Sequence, residues 1–98
     1  MSQNTIGSES VAVGAFALNA QNPATAVSML NVAVGKNAGE AVTTGTENTL
    51  IGGIAGDALT TGTGNTALGY SSLTTDTLGS KSTAVARSAL ATQNFTTA

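Results

Sequence analysis

The chain has 98 residues, which suits one domain, and charged residues make up only 8% of it. Its three Lys and Arg residues are scattered and its net charge is −2, which excludes the basic surface that nucleic-acid binding requires. The lack of His and Cys excludes Ser-His-Asp catalysis, Cys-His catalysis and thiolate metal sites, and no apolar run approaches the roughly 20 residues of a membrane span.

The most informative pattern is a repeat of 17 residues that fills the last two-thirds of the chain. Its units open on residues 31–35, 48–52, 65–69 and 82–86, so the starts lie 17 residues apart. Constant spacing without insertions indicates units that stack on one another, because each unit fixes the register of the next. Gly and Thr pairs interrupt every potential helix, so we predict an all-β fold, a parallel β-solenoid in which residues 31–98 form four coils.

The N-terminal part, residues 1–30, carries one further unit opening and an insertion. Residues 10–14 match the other openings but begin 21 positions before Asn31, one period plus four. We place the four extra residues near 19–26, with Pro23 at a corner. The insertion is interpreted either as a projecting contact loop or as a tolerated bulge.

Each unit opening is predicted to be a strand that ends in a turn. Side chains two positions apart share a face of a strand, so the β-branched first residue and the large aliphatic third residue point the same way. We predict that the third residues form the repeat core inside the coil and that the middle residues, mostly Ala, face outward. The predicted core residues are Val13, Val34, Ile51, Leu68 and Val85. The predicted turn residues are Gly14, Gly35, Gly52 and Gly69, and Ala86 breaks this pattern, so an altered or strained turn is expected there.

A second short strand is expected after each turn, for example at Ala17 and Leu18, followed by a Thr/Gly corner. The Asn that opens the next unit suits a turn or an amide ladder along the axis. Two kinds of candidate surface contact follow: Tyr70, which either is exposed or packs a corner, and a row of corner threonines. The row consists of Thr43, Thr60 and Thr77.

The acidic residues are interpreted as solvated charges at different repeat positions, without a metal-binding spacing. We expect no catalytic, cofactor or metal site, and hence no enzyme. A lone chain would be marginally stable and would expose sheet edges, so other copies are expected to associate sideways and end to end.

Two stretches resemble known repeat proteins over about residues 3–98. Residues 6–14 resemble the S-V-A-I-G pattern of YadA-like head domains in trimeric autotransporter adhesins. The N-T-A-[IVL]-G openings, with a following A-L and T-T-G, resemble repeat arrays in tail fibres and other virion structural proteins of phages, notably marine cyanophages. The resemblance implies a left-handed parallel β-roll packed as an intertwined or side-by-side homotrimer.

The resemblance also implies a structural role. The expected function is that of a stiff repeat segment of a phage fibre or virion appendage, located on the virion, which spaces or presents the parts that attach to a host. One alternative is a bacterial trimeric adhesin head at the cell surface that binds glycan or matrix. Another is an ice-binding β-solenoid, suggested by the threonine row. Besides its own copies, a host cell-surface glycan or protein is the expected partner, without nucleic acid or membrane insertion.

Overall fold

The computed structural model describes residues 7–21 and 27–91, and within these two ranges the chain forms strands and turns but no helix. Seven short strands are present in the described residues. They are β1 (Gly7–Ser8), β2 (Val11–Val13), β3 (Val27–Ser28), β4 (Val32–Val34), β5 (Thr49–Ile51), β6 (Thr66–Leu68) and β7 (Thr83–Val85).

Five of the strands form one parallel sheet along the axis of a solenoid. The order is β2-β4-β5-β6-β7, and β1 pairs with β3 in a separate two-stranded sheet. Each residue pairs with its repeat equivalent, as in Val32 with Thr49 and Thr49 with Thr66. The predicted all-β parallel solenoid and its register over these strands are therefore confirmed.

The extra residues before the first regular coil lie between Gln21 and Met29. Gln21 makes the same turn hydrogen bond as Val42, and the carbonyl of Met29 receives the same inter-coil hydrogen bond as that of Thr46. Met29 lies eight positions after Gln21, whereas Thr46 lies four positions after Val42. The insertion predicted near 19–26 falls largely outside the described residues.

The coil interior is lined by the middle residue of each strand, which reverses the predicted orientation. The side chains at these positions are buried at Ala33, Leu50, Ala67 and Ala84. The third residues face outward, and Val13, Leu68 and Val85 are 55%, 45% and 59% exposed. The prediction that Val13, Val34, Ile51, Leu68 and Val85 fill the coil is therefore wrong for the single chain. Alternation shows which residues share a face of a strand but not which face points inward.

Large and small residues alternate across the interior. A Cβ atom on Gly39 would lie 2.7 Å from Cδ1 of Leu50, and a Cβ atom on Gly56 would lie 2.8 Å from Cδ2 of Leu50. Two coils that have Ala at the strand centre carry a buried Leu at the position of Gly56, namely Leu18 and Leu73. A large residue on one side of the coil is thus matched by a small residue on the other, which keeps the interior close-packed.

The segment after each turn does not form the expected second strand in the described part of the chain. In the coil that starts at Asn31, the N–H of Ala38 donates to the carbonyl of Gly35 at 3.2 Å, within the same coil. The next N–H, that of Gly39, donates to Ala55 of the following coil at 2.9 Å. Left-handed φ angles of 62° at Asn37 and 59° at Gly39 fold this segment into turns that still bind the neighbouring coil.

Candidate interaction surfaces

A ladder of buried asparagines holds the coils in register. Asn31, Asn48 and Asn65 are fully buried. The Oδ1 atom of Asn48 accepts a hydrogen bond from the backbone N–H of Asn65 at 3.0 Å, and its Nδ2 atom donates to the carbonyl of Gly62 at 2.9 Å. Asn31 and Asn65 make the equivalent pairs of hydrogen bonds. The repeated Asn therefore forms the axial amide ladder, and each side chain satisfies a donor and an acceptor of the following backbone.

The glycines that follow the strands allow the coils to stack closely. The φ angles of Gly14, Gly35, Gly52 and Gly69 lie between 121° and 133°. A Cβ atom on Gly52 would lie 2.7 Å from the carbonyl carbon of Gly69, closer than such atoms can approach. Ala86 keeps the same type of conformation with a φ of 154°, which strains a residue that has a Cβ atom. These glycine positions therefore serve the close stacking of the coils.

The outward face of the five-stranded sheet carries an unbroken column of aliphatic side chains, which we call the outer aliphatic row. Parallel pairing places its members one above another along the axis. Over five strands the row is about 20 Å long, since paired strands lie about 4.8 Å apart. Val13, Leu68 and Val85 are exposed and the two members between Val13 and Leu68 are half-buried, and an apolar surface of this kind is typical of a protein contact. Its members are Val13, Val34, Ile51, Leu68 and Val85.

Tyr70 lies beside this row and is 52% exposed. Its ring covers Gly53 of the preceding coil, where an added Cβ atom would lie 3.3 Å from Cδ2 of the tyrosine. The guanidinium carbon of Arg87 is 5.5 Å from the ring centroid, within the range of a cation–π contact. Tyr70 is thus both packed on the coil and open to solvent, and Arg87 is a neighbour that the sequence analysis did not single out.

The corner threonines are used within the fold. Thr43, Thr60 and Thr77 are half-buried. The hydroxyl of Thr43 donates to the carbonyl of Thr60 at 3.4 Å, and that of Thr60 donates to the carbonyl of Thr77 at 3.1 Å. These hydroxyls tie one corner to the next, so the row is a poor candidate for a surface that binds an external ligand.

Two carboxyl groups lie on adjacent coils, contrary to the expectation that the acidic residues occupy different repeat positions. Glu40 and Asp57 are one period apart. Burial raises the pKa of Asp57 above its ordinary value, and the charge of Glu40 adds to this effect, while a backbone hydrogen bond opposes it. The Oδ1 atom of Asp57 is buried without a hydrogen-bond partner. In residues 7–21 and 27–91, no group of three or more His, Cys, Asp or Glu residues could hold a metal ion.

Comparison with known proteins does not assign a family. No family model matches the chain, and neither the curated proteins nor the solved structures give a match. Within the described ranges, no helix is long and apolar enough to span a membrane. The class that the fold defines is therefore a parallel β-solenoid, and its most prominent surface is the outer aliphatic row.

Proposed function

We propose that the chain is a structural repeat segment of a phage fibre or related virion appendage. In this proposal three copies pack side by side into a stiff column that spaces or presents the parts that contact the host. The outer aliphatic row is the observation that carries the proposal. Its residues occupy the same position in every coil, so a contact made by one coil can be repeated along the length of the column.

The energetics of the single chain support lateral association. The interior of each coil holds few large side chains, whereas Val13, Leu68 and Val85 stay about half exposed on the outside. Full burial of an exposed side chain of this size contributes roughly 1.5–3 kcal/mol, and these side chains are already about half buried, so each adds roughly half of that when an interface covers the row. Val13, Leu68 and Val85 lie on one face, so each copy presents the same apolar surface to its neighbours.

The setting on a virion rests on the resemblance of the N-T-A-[IVL]-G units to phage fibre arrays. A bacterial adhesin head is the second candidate, and the exposed pair of Tyr70 and Arg87 favours it, because an aromatic ring with an adjacent guanidinium suits contact with a glycan. The hydrogen bonds of the corner threonines argue against the ice-binding alternative.

The test of the assembly is the molar mass in solution, measured by light scattering after size exclusion. We expect a mass three times that of the 9.5 kDa chain. Leu68→Lys should shift the population to smaller species, because it places a charge in the middle of the row without touching the coil interior. Thr61→Lys, at an exposed position outside the row, is the matched control and should leave the mass unchanged. A native mass of one chain would contradict the proposed trimer.

The test of the setting is the location of the protein in its source. Mass spectrometry of purified virions should detect peptides of this chain. Recovery of the protein from the bacterial surface fraction, and not from virions, would favour the adhesin.

A further inference from the structure

We infer that Tyr70 and Arg87 form a binding site for a sugar that carries a carboxylate group, and we call this pair the tyrosine–arginine site. It lies at the turns that follow β6 and β7, beside the outer aliphatic row. The inference goes beyond the structural role proposed above, because a spacer needs no ligand. It gives the glycan contact of the second candidate a ligand class, and it applies in either setting of the chain.

The backbone of the site is fixed by hydrogen bonds between two adjacent coils. The N–H of Ala86 donates to the carbonyl of Leu68 at 3.0 Å. The N–H of Ser88 donates to the carbonyl of Tyr70 at 2.8 Å. Arg87 lies between these two donors, so its backbone is tied on both sides to the coil of Tyr70. The two side chains therefore start about 4.8 Å apart along the axis before any ligand binds.

The ring of Tyr70 is restrained by residues of the preceding and the following coil. An added Cβ atom on Gly53 would lie 3.3 Å from Cδ2 and 3.6 Å from Cε2 of the ring, so the glycine provides space that the ring uses. From the following coil, the guanidinium carbon of Arg87 lies 5.5 Å from the ring centroid, in the range of a cation–π contact. Because both side chains are held by contacts within the chain, a ligand that binds them loses less conformational entropy.

The two side chains are open to solvent and depart from the repeat. Tyr70 is 52% exposed, and Arg87 is exposed as well. The coils that start at residues 10, 31 and 48 have Ala15, Lys36 and Gly53 at the equivalent position. The coils therefore stack with a residue as small as glycine at this position, so stacking does not require a tyrosine or an arginine there.

The ring and the guanidinium recognise different parts of an acidic sugar. A guanidinium binds a carboxylate through two parallel hydrogen bonds, which are stronger than those between neutral groups. The tyrosine ring offers an apolar surface to the C–H groups of a sugar, and its hydroxyl can donate or accept a hydrogen bond. Because the guanidinium lies 5.5 Å from the ring centroid, one sugar residue that carries a carboxylate can contact both. Ser71 and Ser88 add a hydroxyl group at the next position of each coil.

The distribution of charge favours a ligand with a single negative charge at this site. Lys36 has the same repeat position as Arg87 but lies three coils away, about 14 Å along the axis. Lys81 precedes β7 and lies at the opposite end of that strand from Arg87. With these three cations apart and a net charge of −2, the chain does not attract a densely charged polyanion. A sugar with one carboxylate matches the one guanidinium of the site.

The test compares two probes that differ only in the acidic group, methyl α-D-galacturonoside and the neutral methyl α-D-galactoside. Binding to the complete chain, in the assembly that it forms in solution, is measured by NMR titration. We expect a dissociation constant on the order of 1 mM for the acidic sugar, which is typical of one small ligand on an open site. The neutral sugar should bind at least about tenfold more weakly, because it cannot form the charge-assisted hydrogen bonds.

Variants assign the binding to the two side chains. Arg87→Gln should weaken binding of the acidic sugar about tenfold, and Arg87→Lys should have a smaller effect, because lysine keeps the charge but not the paired hydrogen bonds. Tyr70→Ala should weaken it about fivefold through the loss of the ring surface. Lys36→Gln is the matched control, because it removes an exposed cation at the same repeat position that has Gly53 on the following coil. It should leave the affinity unchanged.

Circular dichroism and the molar mass report whether each variant keeps its fold and assembly, and Arg87→Lys replaces Arg87→Gln if the latter does not fold. A trimer that fails to bind the acidic sugar would overturn this inference alone. A single chain that binds it would overturn the proposed trimer alone. Equal affinity of the native chain for the two sugars would also overturn the inference, as would equal losses for Arg87→Gln and Lys36→Gln.

Discussion

The asparagine ladder makes a quantitative prediction for Asn48→Ala. The substitution removes an acceptor from the N–H of Asn65 and a donor from the carbonyl of Gly62, and both lie at buried residues. Each buried polar group left without a partner costs about 1–3 kcal/mol. The free energy of unfolding should therefore fall by about 2–6 kcal/mol, a large part of the roughly 5–15 kcal/mol that folded domains possess.

Equilibrium unfolding in urea at neutral pH, followed by circular dichroism, measures this loss. Asn37→Gly is the matched control. It also removes a side-chain amide, but one that donates to the carboxylate of Glu40 at a partly exposed site, and glycine suits its φ of 62°. We expect the control to change the unfolding free energy by less than about 1 kcal/mol. A loss below about 1 kcal/mol for Asn48→Ala, or one equal to that of the control, would refute the assignment of the ladder as a main source of stability.

Asn48→Asp separates the two halves of the ladder contact. The carboxylate keeps the acceptor for Asn65 but loses the donor for Gly62 and buries a negative charge beside a carbonyl oxygen. Burial would raise the pKa of the introduced carboxyl group, so the folded state binds a proton that the unfolded state has released. The variant should be much less stable than the native chain at neutral pH. The difference should shrink as the pH falls through the folded-state pKa, because the protonated carboxyl group can donate to the carbonyl of Gly62.

Two further predictions concern the interior and the carboxyl pair. Leu50→Ala should lower the free energy of unfolding, measured by chemical unfolding, by about 3–5 kcal/mol. The double variant Leu50→Ala with Gly56→Leu should recover most of that loss, because it adopts the Ala and Leu arrangement of other coils. Equal losses for the single and double variants would refute this packing. Asp57→Asn should raise stability at neutral pH. The pKa of Asp57 is raised in the folded state. The contribution of its protonated carboxyl group to the stability of the fold is therefore complete below the ordinary pKa of 3.8, and it is lost as the pH rises through the folded-state pKa. Thermal unfolding as a function of pH should show that the difference in stability between the variant and the native chain shrinks toward pH 3.8. A difference that does not change with pH would contradict the raised pKa of Asp57.

The repeat spacing was sufficient to predict the parallel sheet, because a constant period aligns equivalent residues without any knowledge of their side chains. Thr49 and Thr66 therefore pair as the sequence indicates. The asparagine ladder was also predictable from the sequence, since an Asn at one position per coil has few other roles in a buried column. Glycine after β2, β4, β5 and β6 was a reliable sign of a backbone turn with positive φ.

Which face of each strand points into the coil was not predictable from the alternation of residues, because an alternating pattern is the same whichever face points inward. The burial of Leu50 and the exposure of Leu68 were missed for this reason. A usable signal was present in the pairing of Leu50 with Gly39 and Gly56, because only an inward Leu requires glycine opposite to it. The second strand was predicted wrongly because left-handed φ angles occur at ordinary residues such as Asn37, which sequence patterns do not reveal.

The contact of Leu50 with Gly39 means that the two coils of residues 31–64 are not exchangeable one at a time. Removal of residues 48–64 would keep the register, the ladder and the glycine turns. It would also remove the Leu50 side chain that fills the space above Gly39. The coils that start at Asn31 and Asn48 have complementary interiors, so they should be duplicated, deleted or transplanted together, in a step of 34 residues.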